Sequence, residues 1–551
     1  MIIKKISIQN FRSYGSDTFT LSLSPNTNTL IGENNVGKTT IFEALKKILT
    51  INGRWDKEDY FLRDATKEIH ISLECILDSE QIQRLINLFN LPYSEEEFTK
   101  NLSNEIEYSF TRDRNRDYYR LKFGDLQIEN ERGHFHPFVR DTGYIEINWY
   151  EILKEIKKDK SILLKKICET VLYVQHGLAS NPEYGINFQS SEFSNSLISV
   201  IASKIIILEE FREKPQIKAN KSLVSPTGKD LANILDGLKN GLEDQRKKYA
   251  EIQRQFQKLF PHLKIEFLGI DENKNIEIQK DSIFSTTNYI GSGILQTLFI
   301  LTHLITHPDK VLCIDTPEIQ LHPHVQRRLG KNLQSSKDIQ IILITHSQYF
   351  LPISKDSRLI RFIQKEGNTT AIYPAEGFFT DSDFSIYDQI LNIDNKEFFF
   401  SRLVLLVEGL SDQWVMQVLA SAEGFDLDEH GISIIPVNGK NNFLRYPKIL
   451  EGYQIPWVLM ADKDKKEEIM PILAEVKNRY PENKLFMLPG EIEQLLDQES
   501  IIEGKKLFGD GSDKKNKPLV ARYAAKKMVE TGKQIPEEIK VVITALKNEV
   551  V

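Results

Sequence analysis

Only three cysteines occur in the 551 residues: Cys75, Cys168 and Cys313. They lie far apart, each in an apolar run, which excludes a disulfide framework and a zinc site and predicts buried thiols in a reducing compartment. Long hydrophobic runs are also missing. The longest, TLFILTHLI at 297–305, falls well short of the roughly 20 residues needed to cross a bilayer and reads as a core helix. The opening MIIKKISIQNFRSY turns polar too soon for a secretory signal, so a cytoplasmic protein with no membrane contact is expected. There is no surplus of positive charge. A net charge of −7 excludes a uniformly basic nucleic-acid coat, yet leaves room for local basic patches and so for DNA. Neither an internal repeat nor a low-complexity tract interrupts the chain. What remains is an ordinary globular composition, 40% hydrophobic and 27% charged, long enough for about two to four domains.

Against that background one stretch carries chemistry. Residues 31–40, IGENNVGKTT, fit G-x-x-x-x-G-K-[ST] without a gap, after an apolar strand ending Thr29-Leu30-Ile31 and before the helical IFEALKKIL. Such a loop crowds backbone N–H groups around a phosphate chain, with Lys38 reaching the β- and γ-phosphates and the Thr39 hydroxyl available to Mg²⁺. Asn34, Asn35, Gly37 and Thr40 complete it. The pattern around the loop is α/β. Strands are predicted at IIKKISIQ, TFTLSL and EIHISLECIL, and a meander over residues 105–129. From about 150 to 257 the spacing turns helical and dense in Lys and Glu, either an inserted arm or a helical layer of the same domain. Strand signals return at HLKIEFLGI and KNIEIQK, followed by a Gly/Ser turn and a long apolar helix from residue 288.

VLCIDTPEIQLHP at 311–323 and IQIILITHSQYFL at 339–351 each begin with a fully apolar run, as parallel strands buried on both faces should. Asp315 ends the first. An acid there is the expected partner of a phosphate loop, since Mg²⁺ bridging two phosphates needs a carboxylate. About 280 residues separate it from Lys38, implying a large insertion. Asn10-Phe11-Arg12-Ser13, Gly32 to Thr39, Ser292-Gly293, Asp315-Thr316-Pro317-Glu318 with Leu321-His322-Pro323, and Thr345-His346-Ser347 together resemble the ordered motifs of an ABC-type ATPase of the RecF/SMC/OLD branch. The resemblance implies Arg12 near the nucleotide, Ser292 and Gly293 as the signature offered across a dimer, and His346 as the switch histidine. One departure stands out. The family's second acid, which activates the attacking water, is replaced by Thr316, whose hydroxyl stays protonated at neutral pH. Glu318 is either its substitute or a structural cap, and slow ATP hydrolysis is expected.

A second α/β pattern follows residue 380, with strands at LVLLVEG, ISIIPVNG, PWVLMADKD and KLFMLPG. Glu408 and Asp412 follow the first, and Asp462 and Asp464 end the third. Ligands of open parallel sheets bind outside the carboxyl ends of strands, and converging carboxylates without basic partners call for divalent metal, Mg²⁺ or Mn²⁺, suited to phosphodiester chemistry. Glu408-Gly409 and Asp462-Lys463-Asp464 resemble the glutamate and D-x-D motifs of a Toprim domain. An ABC-type ATPase followed by C-terminal Toprim is the arrangement of the OLD (overcoming lysogenization defect) family. By that resemblance Glu493 matches a third acidic position, Gly439 a glycine near the site, and Lys517 a lysine that stabilises charge at the scissile phosphate. The neighbouring lysines keep that last choice open, and Lys514, Lys515, Lys526 and Lys527 are alternatives for contacts to DNA backbone.

The predicted architecture is an ATPase head at 1–150 and 258–380 around a helical insertion at 151–257, then a Toprim nuclease domain at 381–551. The resemblance implies an ATP-regulated, metal-dependent endonuclease acting on DNA in defence against phage. It also implies a homodimer or higher homo-oligomer and allows a helicase-like partner. Two alternatives remain: a Toprim nuclease that cleaves RNA such as tRNA, and a non-catalytic ATP-gated clamp. No module presenting a strand-passing tyrosine is recognisable, which disfavours a topoisomerase.

Overall fold

In the computed structural model the chain divides into two compact units, residues 1–371 and 372–551. The structure describes residues 1–50, 55–88, 94–96, 99, 104–113, 116–123, 126–131, 198–208, 230–261, 265–270, 276–280, 283–286, 289–352, 354–365, 367–391, 395–439, 441–463, 469–481, 484–509 and 516–550. Among them, no helix is long and apolar enough to cross a membrane. Cys75 and Cys313 are free and buried, and burial pushes the Cys75 thiol up to about 12. Cys168 lies outside the described residues.

In the first unit two sheets separate by hydrophobic pattern. Strands β1 (Ile2–Gln9) and β2 (Phe19–Ser22) pair antiparallel; β2 alternates buried and open positions, whereas β1 buries Ile6, Ser7 and Ile8 in succession. The sheet continues through β4 (Ile69–Ile76), β5 (Glu105–Asp113), β6 (Arg116–Phe123) and β7 (Leu126–Glu131) in the order β2-β1-β4-β5-β6-β7, with the predicted meander as its far half. The second sheet has the order β15-β14-β3-β13-β12-β8. Here β3 is Thr27–Gly32, β8 Ile205–Leu208, β12 Val311–Asp315, β13 Gln340–Ile344, β14 Arg358–Lys365 and β15 Asn368–Ile372. Every residue of β3, β8 and β13 is buried, as parallel strands covered on both faces require. Strand β13 lies between β3 and β12, so the loop leaving β3 and the acid ending β12 flank one strand.

The helical stretch at 151–257 needs correction. IIIL at 205–208 is β8, hydrogen-bonded parallel to β12, because three consecutive β-branched apolar residues fit a fully buried strand. Helices Leu231–Lys239 and Glu243–Leu259 bury Leu235, Ile252 and Phe256 in the same core as Leu295 and Leu298 of helix Ser292–Thr306, so this part forms a layer of the unit. The segments WYEILKEIKK and LLKKICETVL lie outside the described residues. Strands β9 (Ile265–Ile270), β10 (Ile276–Lys280) and β11 (Ile283–Thr286) form a small antiparallel sheet.

The second unit is a four-stranded sheet ordered β17-β16-β18-β19, with every pairing parallel. Its strands are β16 (Leu403–Val407), β17 (Ile432–Pro436), β18 (Trp457–Asp462) and β19 (Leu485–Leu488). Strands β16 and β18 are buried throughout, and helices Leu410–Ala422, Asn442–Gly452 and Ile469–Arg479 make the crossovers. Helix Lys517–Glu530 packs on Leu410–Ala422 with Ala521, Ala524 and Ala525 fully buried, small side chains that let the two helices approach closely.

Candidate functional site

The first unit builds a phosphate-binding loop between β3 and helix Lys38–Leu49. Gly37 has φ 95°, and a Cβ there would stand 2.6 Å from Ser13 Oγ and 2.8 Å from Thr369 Oγ1, so only glycine fits. The buried Tyr14 hydroxyl donates to the Gly37 carbonyl at 2.9 Å and fixes the loop from below, a contact that the motif itself does not announce. Asn34 and Asn35 are exposed and Thr40 is half-buried. Lys38 is 5% exposed, and its Nζ donates to the carbonyls of Gly32 at 2.9 Å and Glu33 at 2.6 Å. Burial lowers its pKa to about 8 against the opposing pull of Asp315, Glu33 and Glu318. The ammonium is thus held by loop carbonyls that a phosphate can replace.

The strands beside β3 bring the remaining residues in. Burial raises Asp315 to about 6, although the Thr39 hydroxyl donates to it, so the two groups expected at Mg²⁺ already touch. Thr316 adopts φ 44°, the left-handed region that threonine seldom enters, and the chain turns there. After the turn both oxygens of Glu318 are engaged: Oε2 accepts from Thr345 Oγ1 at 2.8 Å and Oε1 from the His346 N–H at 2.7 Å. Burial raises the Glu318 carboxyl, with Lys38 among the opposing influences. Partial burial and the Lys38 charge hold the His346 imidazole below its usual range. Ser292 is exposed at the start of helix Ser292–Thr306. A Cβ on Gly293 would stand 2.3 Å from the Gln320 carbonyl oxygen, so glycine lets that helix start rest on the turn after Asp315.

Arg12, at φ 50°, donates through Nε and Nη2 to Asp59 Oδ1, both at 3.1 Å, and lies 3.5 Å from Glu43. Lys47 takes the other Asp59 oxygen at 2.6 Å. Asp59 is 2% exposed and its carboxyl is held low: burial opposes the charge, but a backbone N–H bond, Lys47 and Arg12 outweigh it. The sequence reading missed Asp59, which carries no motif and meets Arg12 only through folding.

In the second unit the acids gather at the carboxyl ends of β16 and β18, which are adjacent. Glu408 follows β16 directly. Asp412, 5% exposed in the first turn of the next helix, accepts from the Gly409 N–H at 2.9 Å. Burial pushes Asp412 up to about 7 against that hydrogen bond, with the charges of Glu493 and Glu408 adding. Asp462, the last residue of β18, is pushed up to about 8 by burial and then by Asp412, Glu408 and Glu493. Asn438 N–H donates to the Glu408 carbonyl at 3.3 Å, placing Gly439 beside that strand end with φ 144°.

Glu493 lies on the short helix Ile492–Leu495, and its buried Oε1 has no hydrogen-bond partner among the described residues. Lys517 Nζ lies 3.5 Å from Glu493 and 3.1 Å from Glu491. Burial opposes its charge, but the carboxylates of Glu493 and Glu491 outweigh burial and hold it above its usual range. Glu491 is the neighbour that sequence reasoning missed. Asp464, Lys514 and Lys515 lie outside the described residues, and Lys527 pairs with Glu503 at 3.7 Å. No three His, Cys, Asp or Glu side chains among the described residues are grouped closely enough to hold a metal ion. The donor set nevertheless suits a hard divalent ion: it is all carboxylate, the charges of Glu408 and Glu493 add to the raised pKa values of Asp412 and Asp462, and the buried Glu493 Oε1 is unsatisfied among the described residues.

Comparison with known proteins agrees with this division. A family model described as the AAA ATPase domain matches residues 1–351. The chain belongs to that family. Residues 399–464 match the TOPRIM domain of overcoming-lysogenization-defect-like proteins, so this AAA ATPase is joined to an OLD-like TOPRIM domain. Uncharacterized protein MJ1542 of Methanocaldococcus jannaschii is 27% identical over 58% of this chain, and the chain spans only 41% of that relative's length. Endonuclease GajA of Bacillus cereus (strain HuB5-5) is 20% identical over 84% of this chain and 77% of its own. The Old nuclease of Escherichia phage P2 is 26% identical over 28% of each. An AAA ATPase domain and a TOPRIM domain imply nucleotide and divalent-metal binding in general terms.

Proposed function

We propose that the chain is an endonuclease that cuts or nicks DNA at its TOPRIM carboxylates, depends on Mg²⁺ or Mn²⁺, is regulated by ATP and serves in defence against phage. The observation that supports this reading is that Glu408 and Asp412, after β16, and Asp462, at the end of the adjacent β18, lie near enough to one another and to Glu493 of helix Ile492–Leu495 for their charges to act together, with Asp462 pushed to about 8. Four acids facing one another gain little by folding together unless a cation joins them. The similarity to Endonuclease GajA across most of the chain supports endonuclease activity.

In this reading Glu408, Asp412, Asp462, Asp464 and Glu493 hold the metal. When bound, divalent ions supply activation of water and neutralise charge on the leaving 3′-oxygen. Asp412 is oriented by the Gly409 N–H. Lys517, kept charged by Glu493 and Glu491, would stabilise charge at the scissile phosphate. In the ATPase domain Lys38, Thr39 and the loop N–H groups would bind the triphosphate, Arg12 and His346 would border it, and Thr39 and Asp315 would hold Mg²⁺. Glu318 takes the place of the absent second acid, and its two existing hydrogen bonds keep hydrolysis slow. Ser292 and Gly293 meet the nucleotide of a second copy, so ATP sets how two heads associate.

The test is nicking of supercoiled plasmid by the intact chain with Mg²⁺ or Mn²⁺, with and without ATP, alongside total tRNA. Metal-dependent nicking that ATP changes is expected, together with its loss in Glu408→Ala and Asp462→Ala. Cleavage unaltered in both variants sinks the assignment, and cleavage of tRNA alone replaces DNA with RNA as substrate.

A further inference from the structure

Away from the phosphate loop, the first unit contains a cleft of about 480 Å³ between β8 and the helices Leu231–Lys239, Glu243–Leu259 and Ser292–Thr306. Its polar lining is Lys248, Lys310, His303 and His307 with the neutral Asn233, Gln245 and Thr306, and no carboxylate is among the described residues that line it. Its apolar wall includes Ile206 and Leu238. His303 is 3% exposed, and neither of its ring nitrogens has a hydrogen-bond partner among the described residues. A buried imidazole with both nitrogens unsatisfied is costly, and such groups are normally satisfied by a ligand or ordered water.

The neighbouring groups define what the cleft accepts. His303 and His307 stack with ring centroids 5.5 Å apart and planes within 16°. Thr306 Oγ1 donates to the Thr302 carbonyl at 2.6 Å and lies 2.7 Å from His307 Nδ1, so Nδ1–H donates to that oxygen and Nε2 is left as the acceptor. Lys248 Nζ spends one of its three donors on the Thr306 carbonyl at 3.2 Å. Two His four residues apart suggest a chelate, but Lys248 and Lys310 line the cleft while the nearby Asp309 is paired with Lys204 at 2.6 Å, a balance that repels a cation and attracts an anion. The volume suits a ligand larger than a bare ion, and the apolar wall suits its uncharged part.

We infer that this cleft binds a small phosphate-bearing anion of up to nucleotide size, with Lys248 and Lys310 on the phosphate and His303 completing its hydrogen bonds. Burial keeps both imidazoles neutral, at about 3 for His303 and about 4 for His307, so they enter the site as hydrogen-bonding rings and the lysines carry the charge. The helix that ends in this cleft begins at Ser292, so occupancy acts on the element that carries the candidate signature.

The test is calorimetric titration of the full-length chain carrying Lys38→Ala, which silences the phosphate loop, with AMP, orthophosphate and adenosine. One AMP or orthophosphate per chain is expected. Lys248→Gln and Lys310→Gln should each weaken it at least about tenfold, while Lys310→Arg retains it, charge-assisted hydrogen bonds being the strong ones. Binding of AMP without orthophosphate identifies a nucleotide as the ligand, and comparable binding of both identifies the phosphate group alone. Should either glutamine variant fail to fold, His303→Phe, which keeps the ring stack and removes the ring nitrogens, takes its place with the same expected weakening. The inference is overturned if neither phosphate compound binds at millimolar concentration, if adenosine binds as tightly as AMP, or if the substitutions leave affinity unchanged.

Discussion

The two candidate sites handle charge in opposite ways. In the ATPase domain each charged group has an internal partner: Lys38 on the Gly32 and Glu33 carbonyls, Asp315 with Thr39, and Glu318 on Thr345 and His346. In the TOPRIM domain four acids converge with Lys517 beside them, and Asp412 and Asp462 are driven to about 7 and about 8. A site whose charges are internally satisfied keeps its shape without ligand and exchanges partners when phosphate arrives. A site whose charges repel one another waits for an external cation. The first arrangement suits a switch, and the second suits metal-dependent chemistry.

The largest expected effect tests the second half of that contrast. Asp462→Asn removes the most strongly perturbed acid, and nicking of supercoiled DNA should fall by more than the roughly 10- to 100-fold that loss of a metal's supporting contacts costs. The same substitution relieves repulsion, so the metal-free protein should become more heat-stable. Lower nicking together with lower stability would mean that Asp462 is structural.

Glu318→Gln probes the replacement of the missing second acid. If Glu318 positions and deprotonates water, ATP turnover falls on the order of 100-fold, within the range for a lost general base. ATP affinity stays near that of the parent, since the Gln oxygen can still accept from the His346 N–H while its amide N–H donates to the Thr345 hydroxyl, which then serves as acceptor. Unchanged turnover assigns Glu318 to bracing the two strand ends. Lys38→Ala comes next. A charged donor to phosphate is worth about 1.5–3 kcal/mol, so ATP affinity measured by fluorescence titration should drop roughly 10- to 150-fold. An unaltered affinity would separate this loop from nucleotide binding.

How much of this was legible in the sequence follows the same division between local and long-range order. The phosphate loop, Asp315 and the acids at the ends of β16 and β18 were readable because glycine spacing and apolar runs are local signals. Strand β8 was hidden because four residues, Ile205 to Leu208, are too few to break the helical pattern of the charged stretch around them. Asp59 and Glu491 were invisible for another reason. Each works by holding a cation, Arg12 47 residues away and Lys517 26 residues away, and no spacing rule links them. Lys517 was one choice among several lysines, and only folding places its ammonium beside Glu493.

The smallest effect sharpens the comparison in stability. Folding raises the pKa values of Asp412 and Asp462 from the ordinary carboxylate range to about 7 and about 8. Between about pH 4 and 8 the native state therefore binds more protons than the unfolded chain, and stability falls as pH rises through that window. Each unit of difference is worth about 1.4 kcal/mol, and 1 kcal/mol moves the midpoint of a domain of this size by about 2–4 °C. Residues 372–551 should thus unfold on the order of 10 °C or more lower at pH 8.5 than at pH 5 when divalent metal is chelated. Added Mg²⁺ or Mn²⁺ should restore more of the midpoint at the higher pH, where ions no longer compete with protons for the carboxylates. Burial raises Asp315 of the ATPase domain only to about 6, so that domain should lose its pH-dependent stability at lower pH than residues 372–551 do. A midpoint that does not change with pH in chelator, or one that changes equally in the Asp412→Asn/Asp462→Asn double variant, would show that the acids do not repel one another in the folded protein and would remove the physical reason for placing a metal among them.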